Sequence, residues 1–134
     1  MRIISGKYRG RTIKTPNPKY TRPTTDMVKE SIFNMLQNSI DFYAITVLDI
    51  YAGSGSLGLE ALSRGASEVH FVEQNFSVSK VLYSNIKLLE ADANCKIIKR
   101  SAYKFSNSEK HNRYDLVLAD PPFLRMMFIW FLKT

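Results

Sequence analysis

Apolar residues in this chain of 134 residues recur at two spacings, and the spacing changes several times along the sequence. Short apolar runs with the character of buried strands cover residues 45–51, 68–74, 95–100 and 114–120. Between these runs, apolar positions repeat every three or four residues, as they do on one face of a helix. Strands that alternate with helices indicate parallel βαβ units. The pattern therefore predicts an α/β fold with a doubly wound sheet.

Three predicted helices have recognisable start or stop signals. Residues 27–38 have helical periodicity, and Thr25 or Asp26 can cap their N-terminus. Asn75 can cap a later helix, and Gly65 is a plausible stop for the helix between the first two strands. These signals set the boundaries of the predicted elements more firmly than the apolar pattern does.

Basic residues are concentrated at the N-terminus. The net charge is +7, and residues 1–22 contain seven basic side chains and no acid, while the remaining basic and acidic residues cancel. Alternation in RIISGKYRGRTIKTP, with glycines near the turn, predicts a β-hairpin. We therefore predict two domains, a basic N-terminal arm over residues 1–24 and a body over residues 25–134. Such an arm is typical of RNA-binding proteins, and its candidate RNA-binding residues are Arg2, Lys7, Arg9, Arg11, Lys14 and Arg22.

Composition narrows the setting of the protein. The single cysteine, Cys95, excludes an internal disulfide and is typical of the reducing cytoplasm. No apolar run is long enough to suggest a signal peptide or a membrane partner. His70 and His111 have no neighbours at metal-ligand spacing, so we expect no metal.

A glycine-rich loop follows the first predicted strand. Gly53, Gly55 and Gly58 fit G-x-G-x-x-G at the start of a helix, which is the context in which this pattern binds a nucleotide. Glu73, at the end of the next strand, can accept hydrogen bonds from both ribose hydroxyls. Asp49 would repel a pyrophosphate but would attract a cationic group. These residues favour S-adenosylmethionine, which carries an ammonium and a sulfonium group, over a dinucleotide.

The fourth predicted strand ends in the motif Asp120-Pro121-Pro122-Phe123, and proline terminates strands. The Asp120 side chain and the Pro121 carbonyl can accept hydrogen bonds from the two N–H groups of an exocyclic amine. Phe123 can stack on the base. Because ligands of open α/β sheets lie beyond the carboxyl ends of the strands, this corner should share a crevice with the glycine loop. We interpret it as a clamp for a flipped-out base.

These motifs resemble a known family. DIYAGSGSLGLEALSRGA, VEQN and DPPF resemble the class I S-adenosylmethionine-dependent methyltransferases, and RIISGKYRGR with TRPTTDMVKESIFNML narrows the resemblance to the RsmD family. The resemblance implies a Rossmann-like sheet. It also implies methyl transfer to guanine N2 in 16S rRNA, either free or in an assembling small ribosomal subunit.

The resemblance also implies roles for individual residues. The residues implied to bind the cofactor are Asp49, Gly53, Gly55, Glu73, Ser101, Ala102 and, near both cofactor and substrate, Thr24. The residues implied to hold the guanine are Asp120, Pro121 and Phe123. The family usually has Asp-Ala where this chain has Ser101-Ala102, although a serine can still accept a hydrogen bond.

The sequence departs from the family at its C-terminal end. The family continues past the corner with further strands, so we expect a C-terminally truncated member with an incomplete sheet. The fourth strand would then have a bare outer edge beside the exposed apolar tail LRMMFIWFLKT.

Other functions remain open at this point. One is methylation of adenine or cytosine amines in DNA or RNA, which the corner chemistry alone does not separate from guanine methylation. A nicotinamide-dependent oxidoreductase would leave the corner and the basic arm unexplained. A non-catalytic RNA-binding remnant would show salt-sensitive RNA binding without methyl transfer.

Overall fold

A computed structural model of the chain describes residues 1–17, 25–107, 114–122 and 126–131. The strands are β1 (Thr46–Ile50), β2 (Glu68–Val72), β3 (Cys95–Ile98), β4 (Leu116–Ala119) and β5 (Phe128–Phe131). The helices are α1 (Asp26–Gln37), α2 (Ser56–Ser63), α3 (Phe76–Leu88) and α4 (Ala102–Ser106), with a 3-10 turn at Asp92–Asn94. The strand order is β3-β2-β1-β4-β5. Strands β1 to β4 are parallel and β5 is antiparallel, which confirms the predicted α/β sheet.

Side-chain caps fix the starts of three helices. The Val28 N–H donates to Thr25 Oγ1 at 3.2 Å, and the Val78 N–H donates to Asn75 Oδ1 at 3.0 Å. Both predicted caps are therefore confirmed. Helix α4 was not predicted, but Ser101 starts it in the same way. Each cap satisfies an N–H group that has no partner within its helix.

The main core lies between the sheet and helices α2 and α3. Val69 and Phe71 of β2 are fully buried. A Cβ atom added at Gly58 would lie 2.4 Å from Phe71 Cε1, so α2 approaches β2 closely only because position 58 has no side chain. This close approach places the N-terminus of α2 beside the carboxyl ends of β1 and β2.

The outer edge of β4 differs from the sequence-based expectation. We expected a bare edge, but β5 pairs with β4, with Leu116 opposite Phe131 and Ala119 opposite Phe128. This pairing satisfies backbone groups that an edge strand would otherwise expose. The apolar tail is also not fully exposed, because Ile129 packs against the main core.

The N-terminal segment, residues 1–17, packs on the body of the fold. Ile3, Tyr8 and Ile13 are buried in the main core. The Ile3 N–H donates to the Arg11 carbonyl at 3.0 Å, but the segment forms one isolated antiparallel bridge, between residues 2 and 12, instead of two strands. The predicted β-hairpin arm is therefore not confirmed. The proposed domain boundary at residue 24 lies outside the described residues and stays a prediction.

A buried carboxylate joins the N-terminal segment to α2. Glu60 Oε1 accepts the Ile4 N–H at 2.9 Å and lies 3.4 Å from Lys29 Nζ. Glu60 Oε2 accepts the Ser5 N–H at 3.1 Å and Arg64 Nε at 2.9 Å. Burial lowers the pKa of Lys29, and the Glu60 carboxylate opposes that shift. We call Lys29, Glu60, Arg64 and the backbone that they contact the N-terminal junction.

The same junction includes a close backbone contact at Gly6. The Lys7 N–H donates to the Ser63 carbonyl at 2.7 Å, and the Tyr8 N–H donates to Ser63 Oγ at 2.9 Å. Gly6 has a φ of +91°, and a Cβ atom there would lie 1.9 Å from the Ser63 carbonyl oxygen. The contact therefore requires glycine both for its backbone conformation and for its lack of a side chain.

None of the helices in the described residues combines the length and the apolar character needed to cross a membrane.

Candidate cofactor and substrate cleft

A cleft opens beyond the carboxyl ends of the parallel strands. The predicted site residues on its wall are Gly53, Glu73, Ala102, Asp120 and Pro121. They come from segments after β1, β2, β3 and β4, and the parallel pairing brings those four strand ends to one edge of the sheet. The glycine loop and the proline corner therefore share one cleft, as the sequence indicates.

The carboxylate of Glu73 is held in a fixed position on the cleft wall. The Gly53 N–H donates to Glu73 Oε1 at 2.9 Å, and the Asn75 N–H donates to Glu73 Oε2 at 3.0 Å. Each carboxylate oxygen keeps a further lone pair that can accept a ligand hydroxyl. Gly53 has a φ of +58°, and a Cβ atom there would meet no heavy atom within 4 Å. The loop is therefore open on the side where a ligand would lie.

Gly55 has a different role from Gly53. It is absent from the cleft wall, has a φ of +86°, and a Cβ atom there would lie 2.4 Å from Leu82 Cδ1 of α3. Its missing side chain lets the loop pack against α3. Gly55 thus determines the packing of the loop, whereas Gly53 lies on the cleft wall.

Asp49 lies beneath the loop and not on the cleft wall. It is 1% exposed, and its Oδ2 atom accepts the Gly58 N–H at 3.0 Å. Burial raises the pKa of Asp49 well above its ordinary value, the Gly58 hydrogen bond opposes the rise, and the charges of Asp120 and Glu73 add to it. Within the described residues, neither Asp49 nor Glu73 forms a salt bridge. A cationic ligand in the cleft would relieve this accumulation of negative charge.

The segment after β3 contributes a wall and a cap. Ala102 lies on the cleft wall, whereas the Ser101 hydroxyl accepts the Lys104 N–H at 3.1 Å as the cap of α4. One of the two lone pairs of the Ser101 hydroxyl is therefore used by the backbone. Arg100 also lines the cleft and was not predicted as a site residue, although it lies only two residues after the end of β3.

Gln74 and Asn75 also line the cleft, and neither was predicted as a site residue. Asn75 was recognised only as a helix cap, yet the same residue lines the cleft and donates its N–H to Glu73. Their position directly after β2 is the signal that could have identified them, because ligands of open α/β sheets lie at strand ends.

The proline corner follows β4 without a gap. Asp120 is partly buried, and Pro121 and Pro122 lie beside it on the cleft wall. The register pairs Ile50 with Ala119, so the corner starts level with the glycine loop. The predicted site residues Thr24, Arg22 and Phe123 lie outside the described residues.

The basic side chains of the N-terminal segment are exposed on a backbone that is fastened down. The Arg11 guanidinium donates to the Leu88 carbonyl at the end of α3 at 2.7 Å. Asn85 accepts the Lys14 N–H and donates to the Lys14 carbonyl, each at 2.8 Å. The exposed basic residues that the structure describes in this segment are Arg2, Lys7, Arg9, Arg11 and Lys14. They present a fixed basic surface.

The comparison with known proteins agrees with this architecture. The family model described as conserved hypothetical protein 95 matches residues 1–131. The chain belongs to this family. Ribosomal RNA small subunit methyltransferase D of Escherichia coli is 41% identical over 125 residues, covering 93% of this chain and 61% of that protein. The family is thus the RsmD family.

Two further relatives support the assignment to the RsmD family. A Bacillus subtilis protein with the provisional name rRNA methyltransferase YlbH is 39% identical, covering 92% of this chain and 67% of that protein. The solved structure of yhhF from Escherichia coli, which has a provisional methyltransferase name, aligns with a TM-score of 0.80 and 38% identity, covering 93% of this chain and 65% of that one. The chain therefore spans about two thirds of the length of these relatives.

Proposed function

We propose that this chain forms the core of an S-adenosylmethionine-dependent methyltransferase that modifies guanine N2 in 16S rRNA. The observation that carries the proposal is the meeting of Gly53, Glu73 and Asp120 in one cleft, in a chain of the RsmD family. The substrate is either the free rRNA or the assembling small ribosomal subunit, and the setting is the cytoplasm.

The residues of the cleft fit the cofactor. Glu73, held by two backbone N–H groups, has lone pairs left for the ribose hydroxyls. Ala102 provides a small apolar wall for the adenine. A cation in the cleft would favour the ionised form of Asp49, whose pKa is raised by burial and by the neighbouring carboxylates of Asp120 and Glu73. The same accumulation of carboxylates disfavours the pyrophosphate of a dinucleotide. When bound, S-adenosylmethionine would supply an electrophilic methyl group.

The proline corner fits the target amine. The Asp120 carboxylate and the Pro121 carbonyl accept hydrogen bonds from the two N–H groups of an exocyclic amine. These two hydrogen bonds orient the amine so that its nitrogen lone pair points into the cleft. Pro121 and Pro122 hold these acceptors on a rigid backbone. The Asp120 charge also stabilises the positive charge that develops on the amine, so the chain contributes positioning and electrostatic stabilisation.

The test is transfer of a radiolabelled methyl group to small-subunit particles, to free 16S rRNA and to DNA. We expect Asp120→Ala to lower transfer to RNA by about 100-fold or more, because it removes one preorganised acceptor. Binding of S-adenosylmethionine should change little. Glu30→Ala is the control, since Glu30 is an exposed acid outside the cleft. Unchanged turnover in the Asp120 variant, or transfer to DNA alone, would contradict the proposal.

A further inference from the structure

A second basic region lies in the body of the protein, although the charge of residues 25–134 sums to nearly zero. Residues 93–107 contain no acid and four basic side chains, which are Lys96, Lys99, Arg100 and Lys104. This region contains the edge strand β3 and reaches the cleft wall at Arg100. The basic surface of the protein is therefore not restricted to the N-terminal segment.

Beside this region, two lysines from different segments of the chain lie close to one exposed aromatic ring. Phe76 is the first residue of α3 and is 63% exposed. Lys80 Nζ lies 4.9 Å from the centroid of the Phe76 ring, and Lys99 Nζ lies 5.6 Å from it. Neither lysine forms an ion pair with an acid in the described part of the chain.

Lys87, also on α3, provides a comparison, because its charge is neutralised within the chain. Its Nζ atom lies 5.4 Å from the centroid of the Tyr83 ring, and Asp92 neutralises it at 2.6 Å. The Phe76 cluster has the same ring-to-ammonium contact twice but no described counter-charge. The ring offsets only part of the cost of bringing two positive charges to one place, and a bound anion would offset it further.

We propose that Phe76, Lys80, Lys99 and Arg100 form a second RNA-contact surface, the β3 rim, which binds phosphates of the strand that flanks the target nucleotide. This inference rests on the proposed function. Phe76, Lys80 and Lys99 do not line the cleft, so the rim can bind RNA while a cofactor occupies the cleft.

The spacing between the rim and the proline corner suits a short single strand. β3 and β4 are three strand positions apart in the sheet, or about 15 Å at the usual spacing between strands. About five nucleotides cover that distance at the ~3.4 Å rise of a stacked strand. A base held at Asp120 would therefore leave its flanking phosphates within reach of Lys80 and Lys99.

The experiment is fluorescence anisotropy with a short labelled single-stranded RNA at several salt concentrations, without cofactor. For Lys80→Ala/Lys99→Ala we expect weaker binding and a log–log salt slope that is shallower by about 1.4, since each phosphate contact to a single strand contributes about 0.7. Lys87→Ala is the matched control and should keep the wild-type slope, because Asp92 already neutralises Lys87.

Calorimetric binding of S-adenosylmethionine separates failure of this inference from failure of the proposed function. We expect the double variant to bind the cofactor as the wild type does. A double variant with an unchanged RNA slope would overturn the inference. A double variant that loses cofactor affinity with RNA binding intact would also overturn it, by assigning the lysines to the cofactor site.

Discussion

One buried carboxylate lies in the N-terminal junction and another lies beneath the cleft, and the chain balances the charge of the first but not of the second. At the junction, Glu60 meets Lys29, Arg64 and two backbone N–H groups. At the cleft, Asp49 has one described hydrogen bond, from Gly58, and its pKa is raised by burial and by neighbouring acids. At the junction two cations of the chain itself balance the carboxylate, whereas the acids at the cleft accumulate negative charge that a ligand can balance. We infer that the first region stabilises the fold and the second binds a ligand.

The largest effect should come from removing the charge at the junction. We expect Glu60→Gln to lower the free energy of unfolding by about 3–5 kcal/mol, because it leaves Lys29 and Arg64 as buried cations without their carboxylate. Urea denaturation measures this change. Glu30→Gln on the exposed side of α1 is the control and should stay within about 0.5 kcal/mol of wild type. A loss below about 1 kcal/mol for the Glu60 variant would contradict the structural role of the junction.

A pair of glycines tests whether the N-terminal segment is fastened to α2. Gly6 and Gly10 both have positive φ, but a Cβ atom at Gly6 would overlap the Ser63 carbonyl, while one at Gly10 would meet nothing within 4 Å. We expect Gly10→Ala to cost about 1–2 kcal/mol from backbone strain alone. Gly6→Ala should cost about 1–3 kcal/mol more because the backbones must move apart. Equal costs in thermal unfolding would indicate a free arm.

Asp49, the buried acid beneath the cleft, should make the free energy of unfolding depend on pH. Folding raises the pKa of Asp49, so the native chain binds the proton more tightly than the unfolded chain does. Its contribution to stability is therefore lost as pH rises from the ordinary value of 3.8 through the raised native pKa. Asp49→Asn keeps an acceptor for the Gly58 N–H but does not titrate. The variant should therefore gain about 1.4 kcal/mol over wild type for each unit of pKa shift. A constant difference between the unfolding free energies of wild type and Asp49→Asn across this pH range would contradict the raised pKa.

The sequence predicted those parts of the molecule that local chemistry determines. The caps at Thr25 and Asn75, four of the five strands in the described residues, and the cleft that joins the glycine loop to the proline corner follow from residue type and spacing. Strand β5 was missed because its apolar run lacks the alternation of a half-buried strand. Only its pairing with β4 determines its conformation.

The N-terminal junction was missed for a different reason. A lysine or a glutamate within a helix is ordinarily exposed to solvent. Nothing in the local pattern therefore marks Lys29 of α1 and Glu60 of α2 as a buried pair. Their meeting depends on how α1 and α2 pack, which is a long-range property. The same limitation hid the burial of Ile3, Tyr8 and Ile13, which anchor the basic N-terminal segment to the core.

The most direct test of the cleft as a methyl-donor site is calorimetric titration of this chain with S-adenosylmethionine, with NAD in parallel. We expect binding of S-adenosylmethionine alone. Glu73→Gln should weaken it by about tenfold or more, because hydrogen bonds to a charged acceptor are strong, whereas Glu68→Gln at the exposed start of β2 should not. Binding of NAD, or no binding of S-adenosylmethionine by a chain that unfolds cooperatively, would contradict the assignment of the cleft.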